Sequence, residues 1–248
     1  MSKSCLLPFD VPCETAEFVR REKRFIVTVS LHGRTVQVHS NNTGSMLGLL
    51  RPGMPVLVSP AQNPHRRLPY TQEAVWVSNT ADLNGNDGFW VGVNTLVPNR
   101  LLEAAFRAGR LPFAEGYSSM KREVAFGSSR FDACCTAAGK PPLWIECKNV
   151  TLVEDDAACF PDAASQRGCR HLRELVNVVK GGARAAMFYV IQRADGHCFA
   201  PADFIDAEYA RLFEEALHAG VEMYPYRVRV SPLGMDLEEA VPLACRLK

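Results

Sequence analysis

The sequence contains no apolar run long enough to span a bilayer, so a membrane-crossing helix is not expected. Its first residues, MSKSCLLPFDVPCE, lack a basic start followed by an apolar stretch and a small-residue cleavage site. That argues against a secretory leader and makes the cytoplasm the expected compartment. No internal repeat or low-complexity tract is visible. No Cys-x-x-Cys occurs among the nine cysteines, and an odd number without framework spacing argues against a disulfide scaffold. Zinc on Cys134, Cys135, Cys147, Cys159 and Cys169 would need spacings that match no usual zinc site, so these thiols read first as small buried hydrophobes. A P-loop is missing as well. The polar loop Asn41-Asn42-Thr43-Gly44-Ser45 lacks the Lys-Ser/Thr ending, and is either a backbone-amide contact for phosphate or a turn.

Net charge is nearly absent, at +1, but its distribution is uneven. Residues 17–67 hold eight Lys/Arg against two Glu, and residues 68–248 sum to about −4. A basic N-terminal part beside a mildly acidic remainder suggests two jobs. With 47% hydrophobic and 22% charged residues, the 248-residue chain has an ordinary globular composition, enough for one large domain or two small ones.

The pattern predicts a mixed α/β (α+β) protein that changes character near residue 90. In residues 1–90, Phe25–Leu31, Arg34–His39, Pro55–Ser59 and Glu73–Val77 are short strands, with Phe89–Val93 at the boundary and His32-Gly33 as a hairpin turn. Strands this short and close together suggest a small closed barrel or sandwich. In residues 91–248, helices are expected over Pro98–Ala108, Ala163–Lys180 and Asp206–Ala219. Strands are expected over Lys121–Phe126, Arg130–Thr136, Leu143–Val150, Arg184–Gln192 and Val221–Val230, which gives a mixed sheet. Arg184–Gln192 is a continuous apolar run, as in a strand buried on both faces.

Chemistry concentrates in Arg130-Phe131-Asp132 and Ile145-Glu146-Cys147-Lys148. Glu146 and Lys148 are two apart on one strand and share a face. If the hairpin register brings Asp132 opposite, two carboxylates and one ammonium converge. Asp132, Glu146 and the backbone carbonyl of Cys147 would then ligate Mg²⁺ or Mn²⁺, and Lys148 would orient water and stabilise charge on phosphorus. A Glu-x-Lys on a strand is otherwise usually a solvated face, and without metal these charges would simply pair. Their apolar neighbours Leu143, Trp144, Ile145 and Val150 argue the other way, because charges in such a strand are costly unless paired or metal-bound.

A longer series of motifs resembles the sugar fermentation stimulation protein A family. It comprises Lys23-Arg24-Phe25, Asn42-Thr43-Gly44-Ser45-Met46, Val93-Asn94-Thr95, Gly116-Tyr117-Ser118-Ser119, Arg130-Phe131-Asp132, residues 145–152 (IECKNVTL), Phe160-Pro161-Asp162-Ala163 and His171-Leu172-Arg173-Glu174-Leu175. The resemblance implies an N-terminal OB-like barrel followed by a restriction-endonuclease-like domain with a PD-(D/E)XK site. It also implies nucleic-acid binding and a link to regulation of sugar metabolism. Cys147 stands where the family usually has valine, Gln72 where an aromatic is expected, and Cys134 and Cys135 replace bulkier residues.

Further candidates are Glu123, as a third carboxylate or a surface charge, and Arg167 with His171, which share a helix face and could hold a phosphate. Arg20, Arg21, Lys23 and Arg24, flanked by Phe18 and Phe25, form the densest basic run, and Arg66 and Arg67 form a second patch. Such runs are often only solvated; on an OB barrel they read as a nucleic-acid surface. The expectation is a nucleic-acid-binding protein, DNA in the first instance, with a divalent-metal nuclease site. The alternatives are a DNA-binding regulator that does not cut and, disfavoured by the basic barrel, a small-molecule phosphoesterase. A membrane partner is not expected, and a homodimer stays open.

Overall fold

The structure, a computed structural model, describes residues 5–63, 65–78, 87–127 and 129–244. Strand β1 (Leu7–Pro8) comes first, then β2 (Glu14–Glu22), β3 (Ile26–Leu31), β4 (Arg34–His39), β5 (Pro55–Pro60), β6 (Tyr70–Ser78) and β7 (Gly88–Gly92). Antiparallel pairings β2–β3, β3–β4, β2–β5 and β5–β6 roll up the sheet, and one parallel pairing, His39↔Thr71, closes a five-stranded OB-like barrel. Val27, Val29, Val38, Val56 and Val58 fill it. His32 and Gly33 both have positive φ, as a two-residue hairpin needs to follow the strand twist. Strand β2 was not expected from sequence. Its charges hide the alternation that buries Ala16 and Phe18. Phe18 is therefore a core residue and presents no stacking surface, and Gln72 is likewise fully buried.

The chain continues with α1 (Val97–Arg107), β8 (Ser119–Phe126), β9 (Ser129–Thr136), β10 (Leu143–Val150), β11 (Leu152–Glu154), β12 (Ala157–Phe160) and α2 (Gln166–Lys180). It ends with β13 (Arg184–Ile191), β14 (Cys198–Pro201), α3 (Ala207–His218), β15 (Glu222–Ser231) and β16 (Gly234–Ala240). A seven-stranded mixed sheet runs β1-β16-β15-β13-β10-β9-β8, and β11, β12 and β14 form a separate small sheet. Central β13 is buried on both faces, which explains its unbroken apolar sequence. Helix α1 packs on one face with Leu101, Leu102 and Ala105, against Leu143, Ile145 and Phe188. Helices α2 and α3 cover the other with Leu172, Leu175 and Phe213, against Met187, Tyr189 and Ile191. Strand β1, from the N-terminal part of the chain, leaves the barrel and pairs with β16 at the edge of the seven-stranded sheet. Among the described residues no helix is long and apolar enough to cross a membrane.

Candidate functional site

Alternation along β10 sends Ile145 and Cys147 toward the α1 core and Trp144 and Val150 toward the α2 core. Glu146 and Lys148 share the parity of Trp144 and face α2. The β9–β10 ladder runs through Leu143↔Cys135, Trp144↔Cys134 and Ile145↔Ala133, then stops. Asp132 and Glu146 would be the next pair. The β8–β9 ladder skips the same place: Arg122↔Ala133 and Val124↔Phe131 pair, but Glu123 and Asp132 do not. Strand β9 also changes faces there. Ala133 and Cys135 lie in the α1 core, whereas Phe131, of the same parity, packs in the α2 core with Trp144 and His171.

This break brings the Asp132 carboxylate into the gap between strands. Its Oδ2 accepts from the Cys147 backbone N–H at 2.7 Å, and its Oδ1 accepts from Asn99 Nδ2 at 2.6 Å. Burial, together with the nearby Glu146 charge, pushes the Asp132 carboxyl up to about 6, although the Cys147 and Asn99 hydrogen bonds and Lys148 oppose the shift. Glu146 is 3% exposed. Its Oε1 accepts from Lys148 Nζ at 2.6 Å and from His171 Nδ1. Burial raises the Glu146 carboxyl, but Lys148 and His171 outweigh it and hold the group below its ordinary value. His171 is buried, and its Nε2 accepts from Arg167 Nε at 3.4 Å, so the two bonds assign its ring proton to Nδ1. Lys148 Nζ lies 3.3 Å from that same Nδ1 and directs its own hydrogen bond to Glu146.

One atom is left over. Glu146 Oε2 is buried and has no hydrogen-bond partner among the described residues. An ionised oxygen in that state costs free energy on the order of 1–3 kcal/mol or more unless something else satisfies it. A hard cation would do so. Asp132 Oδ atoms lie in the same cleft, and the Cys147 carbonyl faces the same neighbour as its N–H, on the side where the ladder has opened. Among the described residues no three His, Cys, Asp or Glu side chains gather into a ready-made metal site, so the carbonyl and water would have to complete the shell. Burial pushes the thiols of Cys134, Cys135, Cys147 and Cys169 up, Cys135 to about 12.

Asp132, Glu146 and Lys148 line a cleft of about 470 Å³, together with Glu123 and Arg167. Glu123 is exposed, sits across from Asp132, and has φ +51°, a conformation that costs a non-glycine residue about 1–3 kcal/mol. The barrel supplies the opposite wall through Asn41, Asn42, Thr43 and Gly44. Asp162 ties that wall to the second domain by accepting from Ser45 Oγ and the Met46 N–H, both at 3.2 Å. A Cβ on Gly44 would meet Asp162 Oδ2 at 2.8 Å, so glycine lets the wall close.

The basic run of β2 separates into different roles. Arg20 pairs with Glu22 at 2.5 Å. Arg21 turns inward and donates to the carbonyls of Gly44, Asn42 and Arg24, so it holds the cleft wall. Lys23 and Arg24 are exposed in the β2–β3 turn beside Phe25. Arg66 donates to Thr71 Oγ1 at 2.8 Å, and Arg67 is exposed. Neither patch lines the carboxylate cleft. Asn99 and Asp162 were not singled out from sequence as site residues. Asn99 is one neutral amide at a helix start, and Asp162 carries no spacing signal.

The family model described as "Sugar fermentation stimulation protein RE domain" matches residues 96–234, and "SfsA N-terminal OB domain" matches residues 19–93. The chain is 53% identical over 237 residues to a "Sugar fermentation stimulation protein homolog" of Maridesulfovibrio salexigens, covering 94% of this chain and 95% of that protein. It is 45% identical to a homolog of the same description from Lawsonia intracellularis, covering 96% and 97%. The solved Pyrococcus furiosus SfsA, described in complex with Ca²⁺, superposes with a TM-score of 0.85 at 24% identity over 98% of this chain and 100% of that one. That likeness shows the fold.

Proposed function

The chain belongs to the sugar fermentation stimulation protein family, and from that membership and the site geometry we propose that it is a DNA-binding, divalent-metal-dependent phosphodiesterase of the nuclease type. The observation that carries this reading is the buried, unpartnered Glu146 Oε2, set beside Asp132 where two strand ladders open. Asp132, Glu146 and the carbonyl of Cys147 would hold Mg²⁺ or Mn²⁺. Bound there, such a cation supplies Lewis-acid stabilisation of a phosphate oxygen and a more acidic water. The description of the Pyrococcus furiosus relative with Ca²⁺ supports an oxygen-liking site, since Ca²⁺ is a hard cation of the same preference.

Lys148 keeps its ammonium against Glu146 at the cleft floor, close enough to stabilise charge on a phosphate lodged beside it. His171 fixes Glu146 from behind. Among the described residues Arg167 donates through Nε to His171, and its terminal N–H groups would grip a phosphate at the cleft mouth. Asn99 orients Asp132. The family's name supports a link to sugar metabolism.

The test is direct. The protein is incubated with single-stranded, duplex and branched DNA and RNA in Mg²⁺, Mn²⁺ or EDTA, beside Glu146→Ala. Metal-dependent cleavage that disappears in the variant supports the reading. Salt-sensitive binding without cleavage of any substrate would instead make the protein a non-cutting DNA-binding regulator.

A further inference from the structure

Three depressions on the surface adjoin. The carboxylate cleft shares Asn41 and Leu96 with a larger cavity of about 600 Å³, floored by the barrel and the 94–100 segment. That cavity in turn shares His39 and Arg66 with a third hollow of about 320 Å³, lined by Phe25, Arg67 and Leu68. Together they form one trough from Glu146 to Phe25 across the barrel.

Cationic side chains recur along its whole length. Arg167 and Lys148 stand at the cleft end, Arg100 and Arg66 in the middle, and Arg67 at the far end. None of Arg66, Arg67 and Arg100 meets a carboxylate among the described residues. The two acids in the middle are already engaged. Glu73, 4% exposed, accepts from Ser59 Oγ at 2.6 Å and Asn94 Nδ2 at 2.8 Å, and Asp10 accepts from Gln62. Three large apolar side chains stand out of this polar surface: Phe25 at the far end, 53% exposed, Val11 in the middle cavity, 56% exposed, and Leu96 at the junction with the carboxylate cleft, 59% exposed; Phe25 alone of them is aromatic. Spaced cations for phosphates with an exposed ring for a base are the requirements of a single strand, whose bases are free to stack. A duplex hides its base faces and would leave Phe25 in water.

We propose that this trough is a binding path for single-stranded nucleic acid that lays a strand over Phe25 and Arg66 and delivers its phosphates to the Asp132–Glu146 cleft. The inference deepens the nuclease reading and rests on it for the fate of the strand, but strand binding itself requires no cleavage.

The test therefore excludes metal. The full chain is titrated in EDTA with a fluorescent 20-nucleotide oligothymidine, a 20-base-pair duplex and an oligouridine, and anisotropy is read at several salt concentrations. The single strand binds at least about tenfold tighter than the duplex, and the thymidine and uridine arms tell DNA from RNA. Phe25→Ala weakens the single strand about fivefold or more and leaves the duplex unchanged. Arg66→Ala/Arg67→Ala flattens the log–log salt slope by about 1.4, as two lost phosphate contacts require, whereas Arg34→Ala, outside the trough, does not. Thermal melts establish that each variant folds. Duplex binding as tight as single-strand binding, or a folded Phe25→Ala with unchanged affinity, overturns the trough and leaves the nuclease reading intact. A strand-selective protein that never cuts overturns the nuclease reading and leaves the trough intact.

Discussion

The Asp132 carboxylate takes the hydrogen bond of the Cys147 backbone N–H, at 2.7 Å, where β9 has ceased to pair with β10. A side chain replaces a ladder carbonyl, so the sheet opens beside Glu146 without orphaning the Cys147 donor.

That substitution has a pH dependence. The Asp132 carboxyl is raised from 3.8 to about 6 in the fold. A raised acid contributes stability that is fully present below its unfolded value and is lost as pH rises through about 6. Removing Asp132 also leaves the Cys147 N–H unpaired, at about 1–3 kcal/mol. In EDTA, Asp132→Ala should therefore lie further below wild type in stability at pH 5 than at pH 8, the difference being about 1.4 kcal/mol because pH 5 lies about one unit below the folded value. A gap that widens toward pH 8 would contradict the assignment.

Glu123 carries a different signal. Its φ of +51° is strained for glutamate and easy for glycine. Glu123→Gly should raise unfolding stability by about 1 kcal/mol, while Glu123→Ala, which keeps the strain, should not. Equal melting temperatures for the two variants would show that the strain is absent in solution.

His171 and Lys148 should separate. His171→Ala removes the buried donor behind Glu146 and should destabilise the fold by about 1–3 kcal/mol, read by chemical denaturation. Lys148→Gln can still donate to Glu146, so its main effect should be on catalysis, a loss of about 100-fold or more in single-turnover cleavage. Equal cleavage by Lys148→Gln and wild type would remove Lys148 from the chemistry.

Arg21 should behave as part of the scaffold. Its guanidinium holds the carbonyls of Asn42 and Gly44. Arg21→Ala should lower stability by about 1–3 kcal/mol and leave the salt slope of nucleic-acid binding unchanged. A flattened slope with unchanged stability would return Arg21 to the phosphate-binding surface.

Much of this was legible because the sequence obeys simple periods. The positions of β4 and β10 and the stripe of α2 follow from alternation and helical spacing. The Glu-x-Lys pair stood out because its neighbours are apolar. The face change at Asp132 was not legible, since strict alternation puts Phe131 with Ala133 and Cys135. Strand β2 hid behind its charges. Two-residue β1 is too short to carry a pattern, and its partner β16 is far away in the chain. Arg21 and Arg20 look alike in sequence, and only the fold turns one inward.

The central claim is a divalent-metal site on Asp132 and Glu146, and Mn²⁺ titration by calorimetry tests it without any substrate. The wild-type chain should bind Mn²⁺ at one site, and its melting point should rise by an amount equivalent to about 2.7 kcal/mol at one hundred times Kd. Glu146→Gln, shown to be folded by circular dichroism, should bind none. Equal Mn²⁺ binding by the folded variant, or none by the wild type, would contradict the account.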